Sequence, residues 1–104
     1  MNESWNECLV EVVTTSGGDL GIEHHRNAEV MLRDNELVIS YRTNDGYQIY
    51  RGKGTDGHWD LRNAETGGRS SAHRTPDSET IEGVWHEGSS SGFWKVSLLK
   101  PVNQ

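Results

Sequence analysis

Ala28-Glu29-Val30-Met31-Leu32-Arg33-Asp34-Asn35-Glu36-Leu37-Val38-Ile39-Ser40-Tyr41-Arg42 carries the clearest local signal in the chain. Asp34 and Asn35 both tolerate positive φ, and they sit between two apolar runs, which is the signature of a two-residue β-hairpin. Setting Arg33 opposite Glu36 places Leu32 against Leu37, Val30 against Ile39 and Ala28 against Tyr41, all on one face. The other face receives Met31 with Val38 and Glu29 with Ser40. A helix through the same residues would carry Asn35 in its middle, and the β-branched Val30, Val38 and Ile39 favour strand.

Working outward, turn signals recur at short intervals. Asn44-Asp45-Gly46, read as a three-residue loop with Gly46 in the left-handed position, puts Tyr47 and Ile49 on the face of Tyr41 and Arg51 beside Ile39. Asp56-Gly57 repeats the signal before His58-Trp59-Asp60-Leu61-Arg62, where Trp59 and Leu61 alternate with polar neighbours. Residues 64–80 are polar, with Gly67-Gly68, Ser70-Ser71 and Thr75-Pro76-Asp77-Ser78, and read as a loop interrupted by a short strand near Ala72. Thr80 to Glu87 and Gly92 to Leu99 form the last pair. A four-residue loop between them sets Trp85 opposite Trp94, Ile81 opposite Leu98 and Gly83 opposite Val96. Gly83, between Ile81 and Trp85, leaves room for an indole ring to lie across the strand.

Two periodicities compete near the N-terminus. Ser4 to Glu7 fits a capping box, with Trp5, Cys8, Leu9 and Val12 on one helical face. As a strand, Cys8, Val10, Val12 and Thr14 alternate instead. The β-branched cluster Val10, Val12, Val13, Thr14 and Thr15, ending at Ser16-Gly17-Gly18-Asp19, favours strand, with Trp5 plugging one end. About seven or eight short strands, each joined to the next by a turn, predict an all-β fold. The expectation is a small antiparallel meander, closed or nearly closed into one barrel over residues 1–104.

Composition narrows the function. Leu, Ile, Val and Phe make up only 20 of 104 residues, at the edge of what supports a folded core, so the four Trp and three Tyr must carry much of the burial. A net charge of -6 opposes phosphate neutralisation, which argues against nucleic acid as a partner. No apolar run approaches membrane-spanning length, and no charged-then-apolar leader precedes Cys8, the one cysteine. A reduced, cytoplasmic setting without membrane association is the expectation.

Ile81-Glu82-Gly83-Val84-Trp85 and Gly92-Phe93-Trp94-Lys95-Val96-Ser97-Leu98 resemble the Gly-x-Trp strands of calycin-type barrels, the lipocalin, fatty-acid-binding and avidin group. The resemblance covers the final hairpin; the N-terminal Gly-x-Trp of lipocalins has no counterpart around Trp5. It looks closer to small bacterial barrels. It implies a meander barrel that encloses a small apolar or amphipathic ligand, or one whose interior is filled by side chains.

The residues themselves offer little catalysis. His24, His25, His58, His73 and His86 show no ligand spacing for a metal, so no metal or other cofactor is expected. His24 and His25 point to opposite faces of a strand, while Glu82 and His86 share the face opposite Trp85. Gly52-Lys53-Gly54-Thr55-Asp56-Gly57 has the spacing of a dinucleotide fingerprint, but a strand rather than a helix follows it, and a hairpin turn explains its glycines. Cys8 lies in an apolar stretch, the serines lack a nucleophile-elbow pattern, and Glu82 and Glu87 fall on opposite strand faces. What remains is a ligand pocket lined by Tyr41, Tyr47, Trp59, Trp85 and Trp94, with Arg51 as an inward charge for an anionic group, against the alternative that these rings are simply the core. Two function classes follow: a non-enzymatic barrel that binds a small ligand, and an acidic interaction module that caps or inhibits a basic protein partner through strand edges or the loop at 64–80.

Overall fold

The two-residue turns set the register from which the barrel is built. In the computed structural model, which describes residues 2–17, 20–44 and 46–102, nine strands follow one another. They are β1 (Glu3–Ser16), β2 (Gly21–Arg33), β3 (Glu36–Thr43), β4 (Gly46–Thr55), β5 (His58–Arg62), β6 (Arg69–His73), β7 (Thr80–Glu87), β8 (Ser90–Ser97) and β9 (Lys100–Pro101). Each of β1 to β7 pairs antiparallel with the next, and β8 pairs back onto β1, so an eight-stranded meander closes on itself. β9 adds a short extra strand on β1, continuing the register of β8: Leu9 faces Ser97, and Asn6 faces Lys100.

Asp34 and Asn35 take φ of 51° and 68°, and Arg33 faces Glu36, Leu32 faces Leu37 and Val30 faces Ile39, as read from the sequence. Asp56 and Gly57, at 56° and 79°, turn β4 into β5 in the same way, which disposes of the fingerprint reading of Gly52 to Gly57. The N-terminal segment is strand, with Cys8 and Val10 buried and Trp5 closing one end. Of its expected turn, Gly18 and Asp19 lie outside the described residues. The polar segment after Arg62 does hold a strand around Ala72, β6.

Two registers differ from expectation. Thr43 faces Gly46, which leaves only Asn44 and Asp45 between β3 and β4; Asp45 itself lies outside the described residues. The slip is one residue, so every side chain of β4 changes face. Gln48 and Tyr50 point inward; Tyr47, Ile49 and Arg51 point outward. In the last hairpin Glu87 faces Ser90 around Gly88-Ser89, with Gly88 at φ 60°. This slip is two residues, so the inner face is kept and only the partners change: Gly83 faces Trp94, and Trp85 faces Gly92.

β2 also starts earlier than Ala28, running back through the polar Glu23-His24-His25-Arg26-Asn27. Between Trp5 and Cys8, β1 gains one residue over its partner, and between Cys8 and Val10, β2 gains one in return. Glu7 and Asn27, at φ 55° and 60°, are the bulge residues. The pairing resumes its original register, but both strands have exchanged faces. Below the bulges Trp5, Ala28 and Val30 are buried; above them Val10, Val12, Glu23 and His25 take the inner side.

The lower interior is filled. Leu37, Ile39, Leu61, Ile81, Val30 and Val96 are each at most 1% exposed, and Trp5 and Trp59 close that end. An eight-stranded barrel is just wide enough for its side chains to fill it or to hold one small ligand, and here the filling stops part-way up. At Gly83 an added Cβ would run into the carbonyl oxygen of Ser71 and lie 2.9 Å from the Trp94 indole nitrogen, so the expected room for a ring across the strand is real and Trp94 uses it.

Gly83→Ala is therefore expected to destabilise the fold by about 1–3 kcal/mol through overpacking against backbone. Gly21→Ala, where nothing lies within 4 Å of the added atom, should be near neutral. Urea unfolding midpoints of the two variants against the parent check this, and equal midpoints would contradict the packing.

Candidate functional site

Above the filled core, the barrel opens into a cavity of about 190 Å³ at the end that carries the β1–β2, β3–β4, β5–β6 and β7–β8 connections. Its walls come from six strands. β1 contributes Val12 and Thr14, β2 Glu23 and His25, β3 Tyr41 and Thr43. β4 adds Gln48 and Tyr50, β7 Trp85 and Glu87, and β8 Trp94. Simple alternation along each strand explains these pairs, once the bulge at Asn27 has turned Glu23 and His25 inward.

The wall is aromatic and carries two carboxylates. Tyr50 and Trp94 lie 5.4 Å apart between ring centroids, and the His25 ring stacks on Tyr41 at 4.9 Å. Tyr50 donates its hydroxyl hydrogen to Glu87 Oε2 at 2.7 Å. The Trp85 indole N–H donates to the backbone oxygen of Phe93 at 3.2 Å and that of Trp94 to Ser71 at 3.4 Å. Tyr41 is 8% exposed, yet among the described residues its hydroxyl has no hydrogen-bond partner. Burial first, then the charges of Glu87 and Glu23, push its phenol up to about 12. Burial also raises Tyr50, helped by its hydrogen bond to Glu87.

One rim is preformed. Asn63, 3% exposed, donates from Nδ2 to Gln48 Oε1 at 2.7 Å, and its Oδ1 accepts the backbone N–H of Glu65 at 3.0 Å and of Thr66 at 3.3 Å. The turn that follows brings Gly68 so close to the Tyr50 hydroxyl and to Glu87 that a side chain there would displace them. The expected loop after Ala64 is thus, in its first part, a tied turn against the cavity wall.

Of the residues expected to bind a ligand, Tyr41, Trp85 and Trp94 meet at this cavity. Tyr47 does not: it is outside, bonded to Glu29 Oε1 at 3.3 Å and overlain by Arg42. Arg51 is also outside, held by Glu36 at 3.0 Å, because of the one-residue register change in β4. Trp59 lies at the opposite end, 7% exposed, with its indole N–H buried and unpaired among the described residues. The sequence reading missed Glu23, His25, Gln48, Tyr50 and Glu87. Glu87 was within reach, since it shares the alternation of Ile81, Gly83 and Trp85.

The other titratable groups sit apart from the cavity. His24 points outward to Glu11 at 3.4 Å, opposite in sense to His25. Glu82 and His86 share the outer face, as expected; there Glu82 pairs in register with His73 and Lys95. His58 and His73 approach to 3.2 Å between Nδ1 atoms, but no group of three metal-ligating side chains forms among the described residues. Cys8 is fully buried, and that burial raises its thiol pKa, with a smaller opposing effect from the backbone of Leu99. No protein-family model and no curated protein matches the chain.

Tyr41 gives the site a pH signature. Its folded-state pKa lies above the ordinary value of 10, so the stability it contributes is whole below pH 10 and is lost as pH rises through about 12. At about 1.4 kcal/mol per pK unit, the loss is about 2–3 kcal/mol. Urea unfolding between pH 9 and 12 should show this decline in the parent and a smaller one in Tyr41→Phe; parallel curves would contradict it.

Proposed function

We propose that this chain is a non-enzymatic barrel whose mouth holds one small amphipathic molecule. The observation that carries this reading is the change in filling along the barrel axis: aliphatic residues pack the lower interior, whereas the upper interior leaves about 190 Å³ lined by rings and polar groups. A dry apolar cavity of about 150 Å³ is enough to take up benzene, so a single ring with a polar substituent is the matching size. Rings on the wall, a few placed polar groups and a largely preformed rim are the ordinary make-up of a ligand site.

Binding rather than catalysis is favoured by the thiol chemistry. Cys8 is desolvated and held toward its unreactive, protonated form, and a reducing compartment suits a lone buried thiol. The resemblance of the final hairpin to calycin-type barrels points the same way, since it implies a barrel that encloses a small apolar or amphipathic ligand. The acidic interaction module is less well supported, because β8 pairing back onto β1 leaves, among the described residues, the two-residue β9 as the edge that strand addition would need.

Phenol is a suitable first probe, and the four tryptophans supply an internal control. Titration followed by the indole N–H resonances should shift Trp85 and Trp94, at the mouth, and leave Trp5 and Trp59 in place. Thr14→Trp, which fills the cavity from β1, should abolish the shifts without unfolding the protein. Equal movement of all four indoles, or none, would contradict the reading.

A further inference from the structure

The charges that face the cavity have the opposite sign to the one first expected. Arg51 was to supply an inward cation for an anionic ligand, but it lies outside, paired with Glu36. Glu23, exposed at the rim, and the half-buried Glu87 line the cavity instead, and among the described residues neither forms an ion pair with an Arg, Lys or His. Glu87 accepts one hydrogen bond from Tyr50, which uses part of its acceptor capacity and fixes its position. Resting on the ligand-binding reading above, we propose that the mouth is a site for a small organic cation, an ammonium carried on a body about the size of one ring.

Three independent features of the wall converge on that chemistry. Tyr41, Tyr50, Trp85 and Trp94 present ring surfaces, and the negative faces of such rings attract ammonium groups, most strongly when water is excluded. The two carboxylates supply acceptors for N–H donors, in bonds about twice as strong as neutral ones. The Tyr41 hydroxyl, on a side chain more than nine-tenths buried, has no partner among the described residues and is free to accept from the same group. His25, stacked on Tyr41, is the one basic side chain among the residues lining the cavity.

The rival chemistries fit less well. A neutral ring would find the aromatic wall but leave both carboxylates without a counter-charge. An anion would meet Glu23 and Glu87 directly, with no arginine or lysine among the residues lining the cavity to offset them.

Benzylammonium, benzyl alcohol and benzoate share one ring and differ in charge, so they separate the proposal from the reading it rests on. Titrated at pH 8 and low ionic strength, with the Trp85 and Trp94 indole N–H resonances as readout, benzylammonium is expected to bind about tenfold more tightly than benzyl alcohol, and benzoate more weakly than either. Glu23→Gln should weaken benzylammonium by about threefold to tenfold and leave benzyl alcohol unchanged, a split that general loss of structure would not produce. Glu87→Gln should do the same if its bond from Tyr50 survives, and Tyr50→Phe with Glu87 intact reads out that bond alone. Tighter or equal binding of benzyl alcohol or benzoate at the same two indoles would overturn the cation proposal and keep the ligand site. No response of those indoles to any of the three probes would overturn both.

Discussion

The barrel depends on a pair of compensating bulges where β1 and β2 meet. Each strand inserts one residue, at Glu7 and at Asn27, and the register on either side is the same. A bulge sharpens the local bend and twist, which helps the two longest strands wrap far enough for β8 to reach β1. It also exchanges the two faces of both strands at one level of the barrel. Without it the inner side of β2 would continue from Ala28 to Arg26 and His24, and a cation would stand where Glu23 and His25 now face the cavity. The fold and the character of its mouth thus follow from the same local feature.

That division shapes the energetics. Below the bulges the interior is aliphatic and sealed by tryptophans, and truncating a side chain such as Ile39 or Leu61 would cost about 2–5 kcal/mol. Above them the rings are held by hydrogen bonds as much as by packing: Tyr50 to Glu87, Trp94 to Ser71, and Asn63 to Gln48 behind the rim. Polar groups in such a place are tolerable only when satisfied or wet. The Tyr41 hydroxyl, without a partner among the described residues, faces the open volume and can stay wet, whereas Trp59 Nε1 at the opposite end is both buried and unpaired.

Where a turn dipeptide admits one geometry, the sequence was legible to the residue. Asp34-Asn35 and Asp56-Gly57 set their hairpins as read, and the alternation of Ile81, Gly83 and Trp85 kept its face although its partners slid by two. Asn44-Asp45-Gly46 admits two loop lengths, because Gly46 can either belong to the turn or begin the strand, and the choice between them moved Tyr47 and Arg51 out of the site and Gln48 and Tyr50 into it. The bulges were not legible. Glu7 has no preference for positive φ, and Asn27 ends a polar run whose alternation gives no inner face to follow. Tyr41, Trp85 and Trp94 face the same cavity, as their alternation implies; that His24 and His25 point to opposite faces was legible, but which of them faces inward, and Glu23 with it, depends on the bulge.

The inward turn of upper β2 is what the account stands on, and proton–proton distances across the cavity measure it directly. Nuclear Overhauser contacts between the His25 and Tyr41 rings, with none between His24 and Tyr41, are expected from their stacking at 4.9 Å. Contacts from His24 to Tyr41 instead would mean that β2 runs without its bulge, that Glu23 lies on the outer face of the barrel, and that the acidic aromatic mouth does not exist.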